Sequence, residues 1–157
     1  YLREQQALAA RLIPHSGMVV TTDVGSKFTI HPPDKTTVAR RLLYWALGDT
    51  YGRKGIAFRS PDFQSMRIDS DQLVVSLSEA PMGLTSHDQP VRGFEVAGKD
   101  NVFYPATARI AGHGTLIVRS DRVTRPVAVR YCFRDWVLSN LFNTEGLPVA
   151  PFRSDRP

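Results

Sequence analysis

Apolar and polar positions follow two rhythms along this chain. Up to about Gly52 they recur at helical spacing or in an unbroken run, and beyond it they alternate. Tyr1 to Ile13 is rich in Ala, Gln, Leu and Arg, all good helix formers, with Leu2, Ala9, Leu12 and Ile13 able to share one side, and Pro14 ends the run. After Ser16-Gly17, the run Met18, Val19, Val20 reads as a strand buried on both faces, as in the middle of a parallel sheet. It stops at Thr21, Thr22 and Asp23. From Asp34 helical spacing resumes, with Val38, Leu42, Trp45 and Ala46 on one side and Arg40, Arg41 and Asp49 elsewhere, which predicts an amphipathic helix capped by Asp34. Pro32 and Pro33 keep the residues before them extended. His31 is therefore expected in a stiff loop between a strand and a helix, where open α/β sheets carry their chemistry.

A helix and one strand cannot make a sheet. The partner strands are expected from outside this chain, and the first helix is expected to pack on that sheet. The first third thus reads as the end of an α/β domain.

From Gly52 onward short runs rich in Val, Ile, Leu, Phe and Tyr are separated by turn signals. The runs are Leu73 to Leu77, Gly93 to Val96, Val102 to Ile110, Leu116 to Val118 and Val127 to Phe133. Asp69-Ser70-Asp71, Gly98-Lys99-Asp100-Asn101, Gly112-His113-Gly114 and Arg125-Pro126 lie between them. Leu73, Val75 and Leu77 face one way, and so do Val127, Val129 and Tyr131, which predicts an antiparallel β-sandwich. The boundary is placed at Tyr51-Gly52-Arg53-Lys54-Gly55, dividing the chain into residues 1–54 and 55–157. The tail from Asp135 to Pro157 is apolar but irregular. Either it folds over the first domain, bringing Trp136, Asn140 and Phe142 to the rim of a pocket, or it closes the sandwich core.

Composition narrows the classes. With 157 residues and 42% apolar content, the chain can form one ordinary domain or two small ones. No apolar run approaches the roughly 20 residues of a membrane span, and no signal peptide is visible. The single Cys132 excludes an internal disulfide and a multi-cysteine zinc site, and it is expected to pack as a small apolar residue. The net charge of +5 comes from 16 Arg and 4 Lys against 15 acids, scattered with Arg40-Arg41 as the only adjacent arginine pair. There is no basic stripe of the kind nucleic acid selects. No phosphate loop, dinucleotide fingerprint or N-glycosylation sequon is present.

Ile30-His31-Pro32 followed by Asp34-Lys35, then Val38-Ala39-Arg40-Arg41-Leu42 and Tyr51-Gly52, resembles the last catalytic block of the sialate O-acetylesterase family, which belongs to the SGNH-type serine hydrolases. The similarity continues through LREQQALA at Leu2 to Ala9 and GMVVTTDVG at Gly17 to Gly25, and through GFEVAG, PVAVRY and NLFNTEGLPVAPFRSD further on. The resemblance implies an α/β fold, the end of an SGNH-like three-layer domain, followed by the β-sandwich. It makes His31 the general base for a serine that attacks an acetyl ester. That serine and its oxyanion donors would lie on an N-terminal half of the same protein. The implied substrate is an O-acetylated sugar or glycan, first sialic acid and second an acetylated plant polysaccharide such as xylan. No metal or organic cofactor is implied, and the glycan substrates suggest a secreted, periplasmic or lysosomal-type site.

A histidine base needs an acceptor on its other ring nitrogen. Many members of the resembled family carry Asp two residues before this His, where this chain has Thr29. Asp23 is the nearest upstream carboxylate and a candidate orienting acid, Asp34 is its rival, and a Ser-His dyad oriented by a backbone carbonyl is also chemically acceptable. Trp136 and Asn140 are candidate sugar contacts. The competing explanation for Asn140, Asn143 and Gly146 is turn chemistry. His15, His87 and His113 read as surface residues. The rival from another class is a non-catalytic module whose sandwich holds a glycan.

Overall fold

The side chains of Leu73, Val75 and Leu77 share one face of a pleated strand, and that face is fully withdrawn from water. They belong to β2 (Gln72–Leu77), which pairs with β1 (Phe63–Asp69) on one side and β7 (Thr115–Arg119) on the other. The structure is a computed structural model that describes residues 1–155. Arg156 and Pro157, the end of the expected tail and of the second domain, lie outside the described residues. The register sets Leu73 opposite Val118 and Val75 opposite Leu116, so four apolar side chains converge on the same side. With β6 (Thr107–Gly112) the first sheet runs β1-β2-β7-β6.

The second sheet runs β10-β8-β4-β5, from β4 (Phe94–Ala97), β5 (Phe103–Pro105), β8 (Ala128–Tyr131) and β10 (Phe152–Arg153). Its inward residues Phe94, Val96, Val129, Tyr131 and Phe152 join Leu73, Val75, Leu77, Leu116 and Val118 in one hydrophobic core. Burying each of these larger side chains contributes roughly 1.5–3 kcal/mol. Every strand pair is antiparallel, so the two packed sheets form the expected β-sandwich. A short ribbon of β3 (Leu84–Thr85) and β9 (Phe142–Asn143) lies beside it.

Two details differ from the sequence reading. Val102 to Ile110 is two strands, because the chain passes at Pro105 and Ala106 from the second sheet to the first. β1 has no clean alternation because a bulge between Phe63 and Ser65 shifts its register, which sets Phe63 and Met66 toward the core three residues apart.

The first sixty residues hold two helices, α1 (Leu2–Leu12) and α2 (Lys35–Trp45), the second continued by a π-turn over Ala46–Thr50. Among the described residues, neither helix is long and apolar enough to cross a membrane. Met18–Val20 pairs with no strand of the described residues, in keeping with an extended run whose ladder partners are expected from outside this chain. α1 turns its polar side to the sandwich. Glu4 accepts from Arg153 at 3.0 Å, Arg11 pairs with Asp62, and Arg3 donates to the carbonyls of Cys132, Arg134 and Asp135. Leu2, Leu12 and Ile13 do share a side, as their spacing predicts, and that side is exposed.

Candidate functional site

The candidate site is the loop from Asp23 to Asp34. Its exit is fixed by capping: the Asp34 carboxylate accepts from the Thr37 backbone N–H at 2.9 Å. Hydrogen bonds from the Thr37 side chain and backbone favour the charged form and hold this carboxyl below its usual pKa. Within the loop, Ser26 Oγ accepts from the Phe28 N–H at 3.2 Å and Thr29 Oγ1 from the His31 N–H at 3.1 Å, two small side-chain turns in succession. Thr29 therefore shapes the backbone at the position where the resembled family often carries Asp. His31 is presented to solvent between Ile30 and Pro32, and Phe28 and Ile30 are 93% and 90% exposed.

The loop's entry is fixed by Arg41. This side chain of α2 is buried, donating to Asp23 Oδ1 at 2.7 Å, Asp23 Oδ2 at 2.6 Å and the Val20 carbonyl at 2.8 Å. Its planar fork matches a carboxylate with two parallel bonds, which a lysine cannot do. Asp23 was expected to orient His31; in the structure each of its oxygens accepts from Arg41. No carboxylate among the described residues bonds the His31 imidazole. The signal for Arg41 is present in the sequence, since Val38, Arg41 and Trp45 stand three and four residues apart on one helix side. Arg41 takes the inward place expected of Leu42, which is half exposed.

The helix and its lead-in interlock through glycines. The Trp45 indole lies directly on Gly17, and the Phe58 ring lies directly on Gly48 in the π-turn. The two rings meet edge to face with centroids 5.4 Å apart.

The sandwich touches the loop and the residue that precedes it. Ser139, which is buried, shares a 2.9 Å hydroxyl–hydroxyl hydrogen bond with Thr22, and the Lys27 ammonium lies 6.0 Å from the centre of the Trp136 ring. Of the two readings of the tail, the structure shows the one in which it closes the core. Leu141, Leu147, Val149 and Phe152 close the core, while Trp136 stands partly exposed beside the loop. Asn140 faces elsewhere: its Oδ1 accepts from the Arg92 N–H and its Nδ2 donates to the Pro90 carbonyl, both at 2.9 Å, so its amide serves the main chain. Asn143 is buried and accepts from the Leu147 N–H at 2.7 Å.

Cys132 is buried against Gly93, and burial pushes its thiol up to about 11, so it stays protonated at neutral pH. His15, His87 and His113 are exposed. Among the described residues no group of three or more His, Cys, Asp or Glu side chains is arranged to hold a metal ion. Two shallow depressions of about 150 and 160 Å³ lie where α1 meets the sandwich, and neither includes the His31 loop.

The chain is similar to a carbohydrate acetylesterase. That solved structure, from Xanthomonas citri, is 37% identical in sequence and superimposes with a TM-score of 0.87 over 99% of this chain. The chain spans 36% of its length. No family model matches the sequence, and no curated protein matches it.

Proposed function

We propose that this chain is part of a carbohydrate O-acetylesterase and supplies its general base, His31. The observation that carries the reading is the likeness to the Xanthomonas citri acetylesterase over 99% of the chain at 37% identity. The exposed His31, in a loop fixed at both ends by α2, agrees with it. A serine outside this chain attacks the acetyl carbonyl carbon while His31 takes the hydroxyl proton. Collapse of the tetrahedral intermediate expels the sugar alkoxide, which receives that proton from His31. Water then hydrolyses the acetyl-serine with His31 acting again as base, and acetate leaves.

The substrate we propose is O-acetylated sialic acid, on the strength of the Ile30-His31-Pro32 block, with acetylated xylan second. A secreted, periplasmic or lysosomal-type location follows from such glycans. The N-terminal half that would carry the serine is proposed to cover the exposed sides of α1 and the His31 loop.

The test is His31→Ala in the full-length protein, assayed on acetylated sialic acid and acetylated xylan by acetate release. Turnover is expected to fall by orders of magnitude on the true substrate with binding retained. Unchanged turnover on both would overturn the assignment and leave a non-catalytic glycan-binding module as the reading.

A further inference from the structure

We infer that Asp23 and Arg41 form a positioning pair for His31, holding the entry of its loop to the same helix that holds its exit. The inference rests on the esterase reading for its catalytic consequence, but its geometry stands without it. The loop leaves Asp23 and returns at Asp34. At the return the Asp34 carboxylate caps the first turn of α2. At the departure Arg41, on the second turn of α2, grips both Asp23 oxygens and the Val20 carbonyl, all three at 2.6–2.8 Å. One rigid element thereby closes both ends of the loop that presents His31. Arg41 and Asp23 side chains are only 6% and 13% exposed, so the pair is shielded from the screening that weakens surface ion pairs.

The sandwich secures the same segment from its other side. Ser139 binds Thr22, the neighbour of Asp23, at 2.9 Å, and Trp136 receives Lys27 midway between Asp23 and His31. A base on a loop is useful only if its imidazole returns to one place, and a misplacement of about 1 Å can cost on the order of 100-fold in rate. The arrangement gives the buried charges a role that does not require either to touch substrate.

The experiment uses the full-length protein with Asp23→Asn, Arg41→Lys and the two combined. Each variant is read by steady-state kinetics on a small acetyl ester, by circular dichroism, and by the NMR signal of the His31 Cε1–H. Both single variants are expected to lower kcat by roughly 10- to 100-fold with KM unchanged. The double variant should be no slower than the worse single one, because both break the same unit. The His31 signal should shift or broaden in every variant while the circular dichroism stays that of the parent. If Asp23→Asn abolishes turnover and Arg41→Lys leaves it intact, Asp23 acts as an acid on its own and the pair is refuted. An unmoved His31 signal in all three variants refutes it equally, whatever happens to stability. Failure of the esterase reading is a separate result: the parent protein would show no turnover, or turnover indifferent to His31→Ala, while the NMR signal would still decide the positioning role.

Discussion

Replacing Gly17 by Ala tests whether the contact between the lead-in segment and α2 is as close as the structure makes it. A Cβ built on Gly17 lies closer to the Trp45 indole than two non-bonded atoms can approach. Gly17 is not at positive φ, so the backbone itself accepts alanine. Loss of glycine's freedom in the unfolded chain should then stabilise by about 0.4–1 kcal/mol. The collision reverses the sign. To make room the indole must leave Phe58, whose edge-to-face contact is worth about 0.5–1.5 kcal/mol, and Arg59, whose guanidinium lies 5.9 Å from the ring centre and contributes about 0.5–1 kcal/mol. The loss of ring packing on Gly17 adds the overpacking term, roughly 1–3 kcal/mol. The balance is a net loss of about 1–5 kcal/mol, a rise of roughly 5- to 5,000-fold in local opening around α2. Because the chain has two tryptophans, a Trp136→Phe background leaves Trp45 as the only indole, and its emission should shift to the red when it is displaced. Urea titration followed at that emission measures the loss, and Trp45→Leu in the Gly17→Ala protein should recover part of it. A Gly17→Ala protein at least as stable as the parent, with unchanged Trp45 emission, would show that no such contact exists.

Three further outcomes follow from the sandwich. Leu116→Ala removes a fully buried side chain from the shared face of the two sheets and should cost about 2–5 kcal/mol in a urea titration. Burial works against ionisation of Asp155, yet its hydrogen bond with Arg130 and that residue's charge outweigh it and hold the carboxyl below its usual value. A lowered folded-state pKa means stability present above the unfolded value near pH 4 and lost as the pH falls through the folded one, so the parent and Asp155→Asn should differ at pH 7 and converge in acid. Cys132, buried and pushed up to about 11, should resist iodoacetamide at pH 8 in the folded protein and react once urea unfolds it, as followed by mass spectrometry.

The sequence by itself determined the elements whose cause is local. Alternation at Leu73, Val75 and Leu77 dictates a half-buried strand because side chains of a pleated backbone point to opposite faces. Asp34 was legible as a cap because the free N–H groups of a helix's first turn need an acceptor close by in the chain. Cys132 was legible as packing because a thiol in an apolar run is buried, and burial disfavours the reactive thiolate. What stayed hidden depended on partners distant in the chain. β1 was obscured because a bulge breaks the period on which the reading relies, and the break at Pro105 because the alternation does not tell which sheet a strand joins. The meeting of Asp23 with Arg41, eighteen residues apart, and of Thr22 with Ser139, 117 apart, is decided by how α2 and the tail fold back on the loop. The sequence marks His31 as a candidate base, but only the tertiary structure assigns Asp23 to a guanidinium and Asn140 to the main chain. The roles of Asp23 and Asn140 are set by donors and acceptors that folding brings within about 3 Å of them, and those partners lie far along the chain.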